Sequence, residues 1–165
     1  MNRIVRHVVA LAVVSIATLR FAEAGTATGQ IAVTLTLQAE CKLTSTSDLA
    51  FGTTGVLQAA ILATSTINVQ CTNTLPYNIA LNAGTGVGAT VASRKMTAGA
   101  GSTVSYELFR DSGHTQVWGD TIGTNTVAAT GTGAIQAYTV YGRVPIQVTP
   151  AAGNYTDTVQ VTITY

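Results

Sequence analysis

Hydrophobic residues in this chain fall on alternate positions in short runs, and after residue 24 no stretch carries them at helical spacing. The first run is Ile31, Val33, Leu35 and Leu37, with Ala32, Thr34 and Thr36 between them. An extended backbone sends all four aliphatic side chains to one face. Ile67, Val69 and Cys71 alternate with Asn68 and Gln70, and Val104, Tyr106 and Leu108 with Ser105 and Glu107. Val159, Val161, Ile163 and Tyr165 alternate with Gln160, Thr162 and Thr164. Each run suits a strand with one packed face and one wet face. Bounded by clusters of Gly, Asn, Ser and Pro, the runs predict strands at Gln30–Gln38, Leu49–Gly52, Ser65–Cys71, Tyr77–Ala83, Thr103–Arg110, Ala137–Val148 and Asn154–Tyr165, with a few shorter ones between. Short strands separated by turn residues indicate an all-β sandwich or barrel.

The first residues read differently. Arg3 and Arg6 precede an apolar run from Val8 to Leu19, and Ala22-Glu23-Ala24 offers a small-x-small cleavage pattern. That run is about a dozen residues long, against about 20 for a membrane-spanning helix. Residues 1–24 are therefore expected to be a removable secretory signal, with the mature chain starting at Gly25 and holding no stable membrane span. Gly25–Tyr165 has the length of one domain with a sizeable core.

Export changes the reading of charge and cysteine. Beyond the leader stand five basic and six acidic residues, too few and too scattered for a nucleic-acid stripe or a polybasic membrane patch. Charged residues make up only 9% of the chain, so Thr, Gln, Asn and Ser cover the outer faces, a surface suited to packing against other protein. The two cysteines, Cys41 and Cys71, both lie in the exported part, where an oxidising compartment favours pairing. Closing that loop of about 30 residues would contribute about 3–4 kcal/mol in the chain-entropy model. The alternative, a metal site, needs further ligands, and His114 is the only histidine after the leader. No metal and no cofactor is expected.

Catalytic constellations are weak. Gly84, Gly86 and Gly88 suggest a phosphate loop, but no helical pattern follows to supply a helix N-terminus, so they read as turns. His114 has Asp111 and Asp120 nearby in sequence, yet the stretch opens Asp-Ser-Gly and reads as a solvated turn. The six carboxylates stand singly, and no enzymatic activity is expected. Asn154-Tyr155-Thr156 matches a glycosylation acceptor within a strand pattern, Trp118-Gly119 reads as a core anchor beside a turn, and the six tyrosines read as strand residues.

Taken in order, Cys41, Phe51-Gly52, VQCTNTLPYNIALNAG, RKM, YELFRD, WGD, YGRVP and the ending GNYTDTVQVTITY resemble the spore coat protein U family, which includes the major pilins of archaic chaperone–usher (Csu-type) pili. The resemblance spans Gly29 to Tyr165. It implies an incomplete immunoglobulin-like β-sandwich (Cys41–Tyr165) that lacks its last strand and is completed by a donor strand from a neighbouring subunit. It implies a Cys41–Cys71 disulfide. The family's donor segment precedes the first cysteine, here within residues 25–40, with Ile31, Val33, Leu35 and Leu37 as the plugging side chains. The edge of the acceptor groove maps to Val159, Val161, Ile163 and Tyr165. The implied partners are related pilin subunits in a head-to-tail polymer, a periplasmic chaperone and an outer-membrane usher. The implied product is an extracellular fimbrium for adhesion and biofilm formation. A different expectation treats Gln30–Gln38 as the first strand of a self-complemented coat or carbohydrate-binding module.

Overall fold

The computed structural model describes residues 23–165, so the expected signal peptide, residues 1–24, lies outside the described residues except for its last two positions. Contacts divide the chain after Leu35. Among the described residues of the first unit there is neither helix nor strand. The second unit, from Thr36 to Tyr165, holds eight strands: β1 Cys41–Thr46, β2 Ile61–Cys71, β3 Pro76–Leu81, β4 Arg94–Thr97, β5 Thr103–Phe109, β6 Val127–Thr130, β7 Ile135–Val144 and β8 Val161–Thr164.

These form two sheets, a five-stranded one in the order β1-β2-β7-β5-β4 and a three-stranded one in the order β6-β3-β8. Every pairing is antiparallel. The longest, β2 with β7, runs from Ile61↔Val144 to Gln70↔Ile135, and its alternation sets the inner face. Ile67, Val69 and Cys71 of β2, Val140 and Val144 of β7, and Val104, Tyr106 and Leu108 of β5 are buried against Tyr77, Ile79 and Leu81 of β3. The result is an immunoglobulin-like β-sandwich. Trp118 is buried in its core and donates its indole N–H to the Ile79 carbonyl at 2.9 Å, which anchors the turn beside it. Cys41 and Cys71 pair directly across β1 and β2 and are joined by a disulfide.

One charge lies inside. Arg94, on β4, is fully buried, and its guanidinium donates to the carbonyls of Asn82 (2.8 Å), Val91 (2.8 Å), Leu81 (3.0 Å) and Trp118 (2.7 Å). Those acceptors belong to the end of β3 and to two loops, so one planar cation ties three segments together. Burial lowers its pKa, while Tyr106, Asp120 and Asp157 act in the opposite direction.

Five of the expected strands overlap β2, β3, β5, β7 and β8, with shifted ends. Two do not form as expected. Leu49–Gly52 makes no ladder, although Leu49 and Phe51 pack against the core: the side chains alternate, but no neighbouring backbone lies alongside, and Gly52 turns the chain at φ +77°. Gln30–Gln38 likewise makes no ladder in the described chain. Asn154–Gln160, expected as the start of the last strand, carries only an isolated bridge between Thr156 and Thr97.

Candidate functional site

β1 and β8 are terminal strands of different sheets, and they approach each other. Each pairs on one side only, so the backbone N–H and C=O groups on its other side have no ladder partner. Between these edges the sandwich is open. A cleft of about 520 Å³ runs between Thr46–Phe51 and Tyr155–Val161, floored by Ile67, Leu81, Leu108 and Val140. A second hollow of about 830 Å³ shares Leu49, Phe51, Met96, Tyr155 and Thr156 with the first, and extends it toward Leu57, Ile61, Val104 and Val144. The floor is aliphatic and belongs to the core itself.

Of the residues expected at the groove edge, Val159, Val161 and Ile163 are half-buried and packed against the core. Val161 and Ile163 pair with Leu81 and Ile79 of β3. Val159 and Val161 line the cleft, whereas Tyr165 is exposed. Ile31, Val33, Leu35 and Leu37 are 91%, 91%, 84% and 80% exposed, a run of aliphatics with no core of its own. After this run Thr72 bonds the chain at Gln38 and Glu40. Its N–H donates to the Glu40 carbonyl (2.9 Å), its hydroxyl oxygen accepts from the Glu40 N–H (3.0 Å), and the Gln38 carbonyl is 3.2 Å from the same hydroxyl. These bonds carry the β1–β2 pairing past the Cys41–Cys71 pair.

A carboxylate shapes one wall. Asp157 lines the cleft and accepts from the Thr85 N–H (2.7 Å) and hydroxyl (2.8 Å), from the Thr158 N–H (2.7 Å) and from the Tyr106 hydroxyl (2.7 Å). Gly84, at φ +82°, lets the loop close over this group, because a Cβ there would collide with the carboxylate. Of the three glycines that resemble a phosphate loop, Gly84 thus lies against the protein's own anion, while a Cβ at Gly86 would meet the Lys95 backbone. Partial burial pushes the Asp157 pKa up, but these hydrogen bonds outweigh it and hold the group below the ordinary carboxylate range. Burial and the bond to Asp157 push the Tyr106 hydroxyl well above its usual value. Because the folded state depresses the Asp157 pKa, its contribution is fully present above the unfolded value of about 3.9 and is lost as pH falls through the folded one. Melting temperatures should therefore drop below about pH 4, and Asp157→Asn should remove part of that acid dependence while lowering stability at neutral pH.

The His114 region is a turn held by Asp111. Asp111 accepts from the Thr115 and Gln116 backbone N–H groups, closing a turn in which His114 adopts φ +54°. The His114 ring packs edge-on against Phe109 and Tyr141. Among the described residues no cluster of His, Cys, Asp or Glu could hold a metal.

The cleft-lining residues that sequence reasoning missed include Asp157, Met96 and Tyr155, and Thr85 holds Asp157 in place.

Comparison with known proteins places this architecture. The model of the Spore Coat Protein U domain matches residues 27–162, most of the chain. The chain belongs to the Spore Coat Protein U domain family. A family relative, "Protein U" of Myxococcus xanthus, is 33% identical over 158 residues, covering 87% of this chain and 88% of its own length. Among solved structures, the fold is similar to a chain in the crystal structure of the CsuC–CsuE chaperone–tip adhesion subunit pre-assembly complex, from archaic chaperone–usher Csu pili of Acinetobacter baumannii. The TM-score is 0.57 at 24% identity, over 79% of this chain and 40% of that one. This domain thus corresponds to less than half the length of that chain.

Proposed function

We propose that this Spore Coat Protein U domain protein is a structural, non-enzymatic subunit of an extracellular fibre assembled by donor-strand complementation. Residues 25–40 are the donor segment and Cys41–Tyr165 the acceptor domain. Ile31, Val33, Leu35 and Leu37 of one copy fill the cleft of another, pairing along the free edge of β8 at Val159, Val161, Ile163 and Tyr165. A periplasmic chaperone occupies the cleft until an outer-membrane usher exchanges it for the next subunit's donor. The finished fibre sits on the cell surface and supports adhesion and biofilm formation. The chaperone–subunit complex of the Csu relative supports the partner assignment.

One observation carries the reading. Four alternating aliphatics are exposed in a chain whose aliphatic core is open along two unpaired strand edges. Burying four such side chains contributes about 6–12 kcal/mol as an upper figure, and each new ladder hydrogen bond adds about 0.5–1.5 kcal/mol net. Addition of a strand to an open sheet edge is a general recognition mode, and a head-to-tail contact that does not close on itself yields fibres.

The test removes the donor. A chain starting at residue 39 should melt at markedly lower temperature than the full chain bound in fibres, and a peptide covering Thr28–Gln38 should restore the difference. A truncated monomer that melts like assembled protein, and ignores the peptide, would refute the assignment.

A further inference from the structure

We infer that consecutive subunits meet at a second contact besides the exchanged strand: the end of one sandwich bearing Val56, Ile146 and Val148 packs against the disulfide end of the next copy. This rests on the donor reading above. The sandwich has two distinguishable ends. At one lie Cys41, Cys71, Ile135 and the last residues of β8, fixed by the pairs Cys41↔Cys71, Gln70↔Ile135 and Asn78↔Thr164. At the other lie Ile61↔Val144 and the loops from Leu49 to Leu57 and from Thr149 to Thr156 that border the far hollow.

Direction follows from strand pairing. All six pairings of the fold are antiparallel, and antiparallel addition to β8 is the more stable choice per residue. A donor laid antiparallel to β8 begins at the disulfide end and delivers its Leu37 to the opposite end. Only residues 38–40 then separate Leu37 from β1 of the donor's own domain, a reach of about 10 Å at full extension. Thr72 pins Gln38 and Glu40, so this short tether has little slack. The donor's disulfide end therefore sits at the mouth of the acceptor's far hollow.

The surface at that mouth suits such a neighbour. Residues 145–150 follow β7 without forming a ladder and bend at Ile146, held by the Gln147 N–H to the Leu57 carbonyl (3.3 Å) and by the Leu57 N–H to the Thr149 hydroxyl (2.9 Å). Ile146 and Val148 are 67% and 93% exposed, and Val56 beside them is 59% exposed. Residues 49–63 and 144–156 contain no Asp, Glu, Lys or Arg, so nothing there repels an identical copy. The disulfide end offers Ile135 and Leu43, 60% and 44% exposed, as apolar counterparts.

The experiment uses fibres of the full chain carrying Ile146→Asp together with Val148→Asp, positions whose exposure leaves the subunit fold intact. Fibres should form, because the cleft is unchanged, but should release subunits about tenfold faster at a fixed guanidinium concentration, a loss of about 1.4 kcal/mol. A second measurement places Ile135→Cys and Val148→Cys in one chain and treats the fibres with a short bis-maleimide. A covalent ladder of subunits is expected, since the two positions lie at opposite ends of one domain. Wild-type release rates with no ladder would overturn this contact while leaving strand exchange standing. Fibres from Leu35→Asp chains would overturn strand exchange itself.

Discussion

Chains carrying Leu35→Asp should make no fibres. Leu35 is 84% exposed in the unassembled chain, so the substitution costs the subunit fold almost nothing. In the proposed assembly the same position would enter a cleft floored by Ile67, Leu81, Leu108 and Val140. There an ionised carboxylate loses its water without gaining a cationic partner, a penalty of several kcal/mol, and the leucine's own burial, about 1.5–3 kcal/mol, is forfeited as well. Those two losses offset most of what the donor stripe contributes. Electron micrographs should show no filaments and gels no polymer ladder, while the monomer's circular dichroism stays unchanged. Thr34→Asp, on the opposite face of the same stretch, should assemble far better, and comparable defects in the two variants would argue against a one-faced plug.

The second large effect concerns the acceptor. Arg94→Met should destabilise the sandwich by about 3–5 kcal/mol, read as a shift in the denaturant midpoint, because buried carbonyls of Leu81 and Trp118 lose their donors along with those of Asn82 and Val91. Arg94→Lys should recover only part of this, since an ammonium cannot reach three segments in one plane. Leu81 floors the cleft, so the same variant should also weaken donor-peptide binding. A midpoint unchanged in Arg94→Met would show that water replaces the guanidinium without cost.

The strands legible in the sequence are those whose inner and outer faces differ in polarity. β2 and β5 alternate Ile, Val, Tyr and Leu with mostly polar residues because one side packs on the core. β1 was not legible: Lys42 to Thr46 are all exposed on an edge, so no alternation marks them. β6, Val-Ala-Ala-Thr, is too short and too small in side chain to show a period. β4 begins with the charged pair Arg94 and Lys95, with no apolar alternation, and nothing in the sequence announces that four carbonyls converge on Arg94. Leu49–Gly52 failed for the opposite reason. Its side chains alternate as in a strand, yet it lies along the open cleft with no backbone beside it. At the groove the half-buried alternation of Val159, Val161 and Ile163 was readable, whereas Asp157, held through Thr85 and Tyr106, depends on contacts far apart in sequence.

The central claim is that residues 31–37 find their sheet only in another molecule. Amide hydrogen exchange of the full chain, followed through that segment before and after assembly, tests it most directly. The account predicts fast exchange at Ala32 to Leu37 in the unassembled subunit and strong protection in the fibre, together with new protection at Val159, Val161 and Ile163. Protection of the segment already present in isolated subunits, and unchanged on assembly, would contradict it.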